Sequence, residues 1–368
     1  MATTNQTFIP LEAIHPSELI KDEMRERGLK RNELAKRMGI QSSNLSRLIN
    51  SKETITPQTA QRLEQALGIP AEMWLNLQAS YDRDVRLILE RDNQEAEYSA
   101  IERVIAEMVN LPLLLKQLAM DSYRFAQDRV KELYAQLNIN STDELLTLAA
   151  PAGQFKRSDK LATDEKNLRT WVLLAHKECL NKQTDMAYRE GNAVLAANEI
   201  ATLANRGDIT EQKMSDILNR FGICYSVVQK IEKVPVDAYS AIMDNVPHIV
   251  TSHRRNNMDM LVFDVLHELK HVHSDLKNGE SNLSCNEYTH LDPKEVEANR
   301  FAEDTLIPPD IWERILSVNS KSLNPYHVFH AVIKGAKEHG ISESIASWRY
   351  KHETGCYAIR GHKSPGIK

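Results

Sequence analysis

The run from Met258 to Asp275, MDMLVFDVLHELKHVHSD, leaves little freedom to the chain that contains it. Its apolar residues Leu261, Val262, Val265, Leu266, Leu269 and Val272 recur at spacings of three and four, which predicts a helix with one face for burial. On that helix His267 and His271 stand one turn apart at the edge of the apolar face, so that two imidazoles can share one metal ion. Glu268 lies next to them. From there a carboxylate that is not itself a ligand can take a proton from an attacking water, the general-base role in zinc hydrolysis. The alternative is an amphipathic helix with two incidental histidines.

A catalytic zinc site usually has three protein ligands and an open fourth position. The metzincin pattern does not supply the third here, since Ser274 and Lys277 stand where its Gly and third His belong. A second helix downstream does. In LDPKEVEANRFAEDTLIP, Asp292 reads as N-cap, Pro293 as first helical residue and Glu295 as the capping partner at the third position. Glu297 then shares a face with Phe301 and Thr305, beside Ala298 and Ala302, which carries it toward the core while Glu295 and Glu303 project to solvent. Glu297 is therefore the predicted third ligand.

Between His15 and Lys52 the chain holds nine Lys or Arg against five Asp or Glu, an excess of four positive charges in a protein whose formal net charge is −5. The stretch from His15 to Tyr81 is punctuated at Gly28, Gly39, Ser51 to Thr56 and Gly68, which predicts five short helices. Ala35, Gly39 and Leu45 fall where a helix-turn-helix needs a small contact residue, a left-handed turn and a core residue. Leu34, Ile40, Leu48 and Ile49 complete that interior, and Ala60, Leu63, Leu67, Met73, Trp74 and Leu77 repeat along the covering helices. A recognition helix beginning near Gln41 would turn Gln41, Ser43, Asn44 and Arg47 toward a DNA major groove, with Arg31, Lys36 and Arg37 placed for phosphates. The competing reading is a helical bundle that binds a protein partner.

These two regions resemble known families. His15 to Asp82, including TPQTAQRLEQALGIPAEMWLNLQASYD, is similar to the HigA-type antitoxins of the Xre helix-turn-helix family. HELKH followed by EANRFAEDTLIP resembles the ImmA/IrrE family of zinc metallopeptidases, over roughly Leu218 to Pro308 with a weaker tail. That second resemblance implies a gluzincin-like ligand set, with His267, His271 and Glu297 on zinc and Glu268 as base. Two positions depart from the pattern: Lys270 replaces a common Gly and is expected to face solvent, and Asp275 replaces a common His. His273 or Asp264 are candidates to orient a ligand imidazole. By the same resemblance, 248–253 is the candidate cleft-edge strand onto which an extended substrate adds. Arg349 or Tyr350 in IASWRYKHE would steady a substrate or oxyanion, against ordinary packing or surface roles for both, as for His327 and His330.

Length and composition bound the remainder. With 368 residues the chain should hold two or three domains. No apolar run reaches membrane-spanning length and MATTNQTFIP lacks the pattern of a signal peptide, so the expected address is cytoplasmic, without membrane contact. Cys179, Cys224, Cys285 and Cys356 form no CxxC pair and read as reduced thiols. Strand-like runs ICYSVVQKI, AYSAIMD and PHIVTSHR precede the HELKH helix and predict a small sheet. From Thr163 to Arg206 the period is helical, with Trp171, Leu174, Ala175, Leu195, Ile200 and Leu203 as core, and PAGQFKRSDK marks a loop.

The expected fold is mainly α with a small β-sheet, α+β. It comprises a five-helix helix-turn-helix domain at 1–82, a helical connector at 83–162, and a helical region with the peptidase-like domain at 163–368. The expected function is a DNA-binding regulator or antitoxin-like protein, paired as a homodimer on a double-stranded operator. Its zinc endopeptidase half would cleave a repressor or antitoxin-type protein, this chain's own DNA-binding half included. The alternatives are a non-enzymatic repressor that uses the second half as sensor or dimerisation module, and a second half that recognises nucleic acid or a small ligand.

Overall fold

A computed structural model describes residues 9–149, 163–284, 292–317 and 324–367. The PAGQFKRSDK segment and Cys285 lie outside the described residues. Sixteen α-helices and one four-stranded sheet are described, in agreement with the mainly α plus small β expectation. The chain divides into two compact units: Met1–Ala100 with Phe125–Gln127, and Ile101–Arg124 with Asp128–Lys368. The segment read as a connector is thus shared between the units.

In the first unit, α1 (Ser17–Glu26), α2 (Arg31–Arg37), α3 (Ser42–Ile49), α4 (Pro57–Leu67) and the start of α5 (Ala71–Met108) enclose one core. Gly39 supplies the turn between α2 and α3 with φ +63°, a conformation that costs L side chains strain. Thr56 caps α4 by accepting the Thr59 N–H at 3.2 Å, and Pro57 opens the helix where no N–H is needed. Leu34, Ala35, Leu45, Leu48 and Ile49 are buried as the helix-turn-helix spacing predicts, and Ile40 packs partly buried against them. Met73 departs from the expectation and is exposed, because the neighbouring Trp74 fills the core position in the same turn of α5.

In the second unit, α6 (Leu111–Gln117), α7 (Ala126–Leu137), α8 (Thr142–Ala149) and α9 (Glu165–Asn181) share a core with one face of the sheet, α7 beginning in the three-residue stretch assigned to the first unit. Helices α10 (Asn192–Asn205) and α11 (Glu211–Arg220) pack on the other face with α12 (Met258–Lys270). The predicted core residue Leu195 is exposed on α10, whose buried stripe runs through Ala193, Ala196, Ala197, Ile200, Ala201 and Ala204. Beyond α12 come α13 (Pro293–Leu306), α14 (Pro309–Ser317), α15 (Pro325–Glu338) and α16 (Glu343–Thr354).

The strands are β1 (Cys224–Val227), β2 (Ala238–Met243), β3 (Val246–Thr251) and β4 (Ser281–Ser284), in the order β1-β3-β2-β4. Asp244 and Asn245 both take positive φ, which is how a two-residue hairpin turn joins antiparallel β2 and β3 without splaying them. The expectation that 248–253 forms a cleft edge is overturned: β3 pairs with β1 on one side and β2 on the other. The outer strand on the β2 side is β4, whose SNLS sequence has too little apolar character to read as a strand. Side chains on the middle strands alternate between two covered faces, Tyr239, Ala241 and Val250 toward α9 and Ile249 toward α12.

Candidate functional site

Helix α12 places the chemistry. Asn257 caps it by accepting the Met260 N–H at 3.0 Å, and nine of its thirteen residues are buried, His267 and Glu268 among them. After Lys270 the backbone widens into a π-helical turn, His271–Asp275, in which the Leu276 N–H donates to the His271 carbonyl at 3.0 Å. Such turns re-aim side chains within an otherwise regular helix. Here the result is that His271 Nδ1 and Asp275 Oδ2 lie 2.9 Å apart.

Helix α13 brings the third donor, and it is Glu295. His267 Nε2 lies 3.1 Å from Glu295 Oε2, His271 Nε2 lies 3.3 Å from Glu295 Oε1, and the two Nε2 atoms are 3.1 Å apart. Glu297, the predicted ligand, is 68 % exposed and pairs with Lys270 Nζ at 3.4 Å. The reversal follows from helix phase. Ala298, Ala302 and Leu306 form the buried stripe of α13, and at 100° per residue that stripe extends back through Glu295 while Glu297 falls on the opposite side. Asp292 caps α13 by accepting the Lys294 N–H at 2.9 Å. Glu295, read as the capping partner, turns to the histidines instead.

Outer groups fix the imidazoles. His267 Nδ1 meets Asn299 Oδ1 at 2.8 Å, one turn after Glu295 on α13, as His271 Nδ1 meets Asp275. With each Nδ1–H donating outward, both Nε2 lone pairs converge on the Glu295 carboxylate. Asn299 and Asp275 thus fill the roles expected of His273 or Asp264. His273 is exposed, and the Asp264 charge acts on Tyr225. The sequence signal was present in the four-residue spacings Glu295 to Asn299 and His271 to Asp275, which put each pair on one helix face. Lys270 does not face solvent freely: its side chain is 14 % exposed and Nζ meets Ser274 Oγ at 2.6 Å and Asp275 Oδ2 at 3.7 Å.

The electrostatics match a cation position. Burial alone would raise the Glu295 carboxyl, but hydrogen bonds to His267 and His271 and their charges outweigh it and hold it well below the usual carboxylate range. Burial alone would lower His271, yet the bond to Glu295 and the charges of Glu268, Glu295 and Asp275 raise it. Two imidazole lone pairs and a carboxylate facing one another require a proton or a metal among them. The three donor atoms lie within 4.8 Å of one another, and separations of 3.1–3.3 Å agree with the ~3.3 Å edge of a tetrahedron with ~2.0 Å metal bonds. The residues fit a zinc ion.

Arg349 is taken up by structure. Its guanidinium donates to the carbonyls of Glu303 at 2.9 Å and Ile307 at 2.8 Å, pinning the end of α13, and pairs with Asp304 and Glu353. Tyr350 is buried in the core. His327 and His330 are exposed on α15.

On the first unit, Gln41, Ser43, Asn44 and Arg47 line the exposed side of α3, and Arg31, Lys36 and Arg37 are exposed on α2. Arg37 reaches Glu33 at 3.3 Å and Arg47 reaches Glu53 at 2.9 Å, exposed pairs that hold neither side chain strongly. Ser42 Oγ donates to Asn32 Oδ1 at 2.9 Å, tying the two helices.

Residues 20–74 match the helix-turn-helix family model. The Virulence-associated protein I of Dichelobacter nodosus is 36 % identical over 73 residues, 20 % of this chain and 68 % of that protein. An HTH-type transcriptional regulator of Escherichia coli strain K12, YddM, is 35 % identical over 66 residues, 18 % of this chain and 70 % of that one. A solved addiction module antidote protein of a HigA family from Coxiella burnetii is 32 % identical, with TM-score 0.21, over 24 % of this chain and 94 % of that chain. Through this segment the chain belongs to the helix-turn-helix family. Its first unit is a DNA-binding domain of the kind carried by transcriptional regulators.

Proposed function

We propose that this chain is an antitoxin-like DNA-binding regulator whose second unit is a zinc-dependent endopeptidase of the ImmA/IrrE type. The convergence of His267, His271 and Glu295, with buried Glu268 beside them on α12, carries the reading. A zinc ion held by those three residues supplies Lewis acidity, which makes water a nucleophile at neutral pH and polarises a carbonyl. Asn299 and Asp275 keep both imidazoles in the tautomer that offers Nε2. Glu268 takes the proton from the attacking water and returns it to the departing amine.

Among the described residues β4 pairs on one side only, and its Asn282 Nδ2 donates to Glu295 Oε1 at 3.3 Å, so the outer edge of the sheet meets the site. An extended substrate segment adding there lies against the metal centre. The substrate class is a repressor or antitoxin-type protein, this chain's own first unit included. The first unit pairs as a homodimer on an inverted operator in double-stranded DNA, α3 reading base edges and Lys36 with Arg31 and Arg37 meeting phosphates. YddM, a relative named as a transcriptional regulator, supports that half of the reading.

Metal analysis and a proteolysis assay on Glu268→Gln provide the test. The variant should retain about one zinc per chain, bind DNA as before and lose hydrolysis, leaving repression locked on in a reporter strain. Full zinc occupancy in a His267→Ala, His271→Ala variant rejects the site. Normal induction by Glu268→Gln without cleavage fragments in either strain rejects the peptidase and leaves a sensor.

A further inference from the structure

Glu268 is fully enclosed, at 0 % exposure, and a carboxylate there needs a donor. The described donor is Ser240, also at 0 %, whose Oγ–H donates to Glu268 Oε2 at 2.5 Å. The other oxygen, Oε1, is buried and has no hydrogen-bond partner among the described residues. Ser240 stands mid-way along β2, opposite Ile249 of β3 and Asn282 of β4. Its position is therefore set by backbone ladders on both sides. In Ala-Tyr-Ser-Ala-Ile-Met it is the one aliphatic hydroxyl, where an alanine would satisfy the pattern of an apolar strand.

We infer that Ser240 is a positioning residue for Glu268: the sheet, through this hydroxyl, ties Oε2 and leaves Oε1 as the unpartnered carboxylate oxygen that takes the proton. The inference rests on the peptidase reading for its consequence in rate. The hydrogen bond draws the carboxylate plane into one orientation, so that the base is aligned before substrate arrives rather than selected from several rotamers. The hydroxyl contributes nothing to the donor set of His267, His271 and Glu295, so metal affinity should not depend on it.

Ser240→Ala and Ser240→Thr in the full-length protein, each with Glu268 and with Glu268→Gln, test the role. In zinc-loaded protein Ser240→Ala should lower kcat by about 10- to 100-fold, the scale of lost outer partners, with KM and zinc affinity within about twofold. Ser240→Thr should restore most of the rate, and in the Glu268→Gln background Ser240→Ala should leave zinc affinity and the cobalt spectrum unchanged. Independently of activity, the visible spectrum of the cobalt-substituted protein should shift in Ser240→Ala in the direction seen in Glu268→Gln, and return in Ser240→Thr. An unchanged kcat and spectrum in Ser240→Ala overturns the inference, as does an equal further shift of the cobalt spectrum by Ser240→Ala in the Glu268→Gln background or a parallel loss of metal affinity. Wild-type protein that binds cobalt but cleaves no test protein removes the peptidase reading alone, and the spectra still decide on Ser240. Wild-type protein that binds no cobalt overturns both.

Discussion

Helix α3 and helix α12 both carry polar side chains proposed to act, but they carry them in opposite environments. On α3, Gln41, Ser43, Asn44 and Arg47 stand exposed, while Leu45, Leu48 and Ile49 face the core. On α12, His267 and Glu268 are buried, and in the turn that follows so is His271; the groups that hold them come from β2, α13 and that turn. The exposed set is amphipathic in the ordinary way and needs only its own helix to be displayed. The buried set depends on partners that mostly come from elsewhere in the fold, Ser240 of β2 and Asn299 and Glu295 of α13, since a buried polar group without any partner is costly. Evolutionary freedom should differ accordingly: side chains on α3 can change without harm to the fold, whereas those around α12 are bound to one another.

The largest expected effect breaks the buried set. His267→Ala, His271→Ala or Glu295→Ala should each lower zinc affinity by more than the about 10- to 100-fold that an outer partner is worth, read by competition with a chromogenic chelator. Glu297→Ala should leave affinity within about twofold. An equal loss at Glu297 would mean that α13 presents a different face to the histidines.

Next comes a stability test within the exposed set's own scaffold. Trp74 is fully buried and its indole N–H donates to the Ile69 carbonyl at 3.2 Å. Trp74→Ala should destabilise the first unit by about 3–5 kcal/mol, whereas Met73→Ala, at an exposed neighbour, should stay within about 0.5 kcal/mol. Chemical denaturation of the full chain, followed by the tryptophan-independent helix signal, distinguishes them.

A smaller effect concerns the outer layer. Asn299→Ala and Asp275→Ala should each weaken zinc binding by about 10- to 100-fold without abolishing it. Non-additivity with the histidine to which each is bonded sharpens the comparison, because the groups on α3 share no such partners. The smallest effects belong to α2 and α3 themselves. Asn44→Ala should relax base discrimination by about 1–3 kcal/mol at one position, and Lys36→Ala should weaken all DNA sequences alike and reduce the salt slope by about 0.9. Binding by titration on operator and scrambled duplexes at several salt concentrations checks both.

How legible each region is in the sequence follows from the same contrast. A helix-turn-helix is a local object: its glycine at Gly39, its apolar spacing and the Thr56 cap all act within one or two turns, so four short helices and most of their core follow from the order of residues, whereas the fifth, expected to end by Tyr81, runs on to Met108. The His267–His271 pair is local as well, set by one turn of α12. The third donor is not. Choosing between Glu295 and Glu297 required the phase of α13 against the buried stripe Ala298, Ala302 and Leu306. Both carboxylates stand within one turn of Ala298, but the stripe through Ala298, Ala302 and Leu306 runs back through Glu295 and leaves Glu297 opposite, and that full stripe is set by what α13 packs against.

By itself the sequence determined the helix-turn-helix, the placement of two imidazoles and Glu268 on one helix, and three of the four strands. Only the tertiary structure decided that β4 rather than β3 is the outer strand, that Glu295 joins the histidines, that Asn299 and Asp275 orient them, and that Ser240 on β2 reaches Glu268. The reason is range. Backbone hydrogen bonds and side-chain periodicity act over a few residues and leave a trace in spacing, whereas a buried polar contact between residues 28 or 32 positions apart, as in Ser240 with Glu268 or His267 with Asn299, is fixed by how sheet and helices stack.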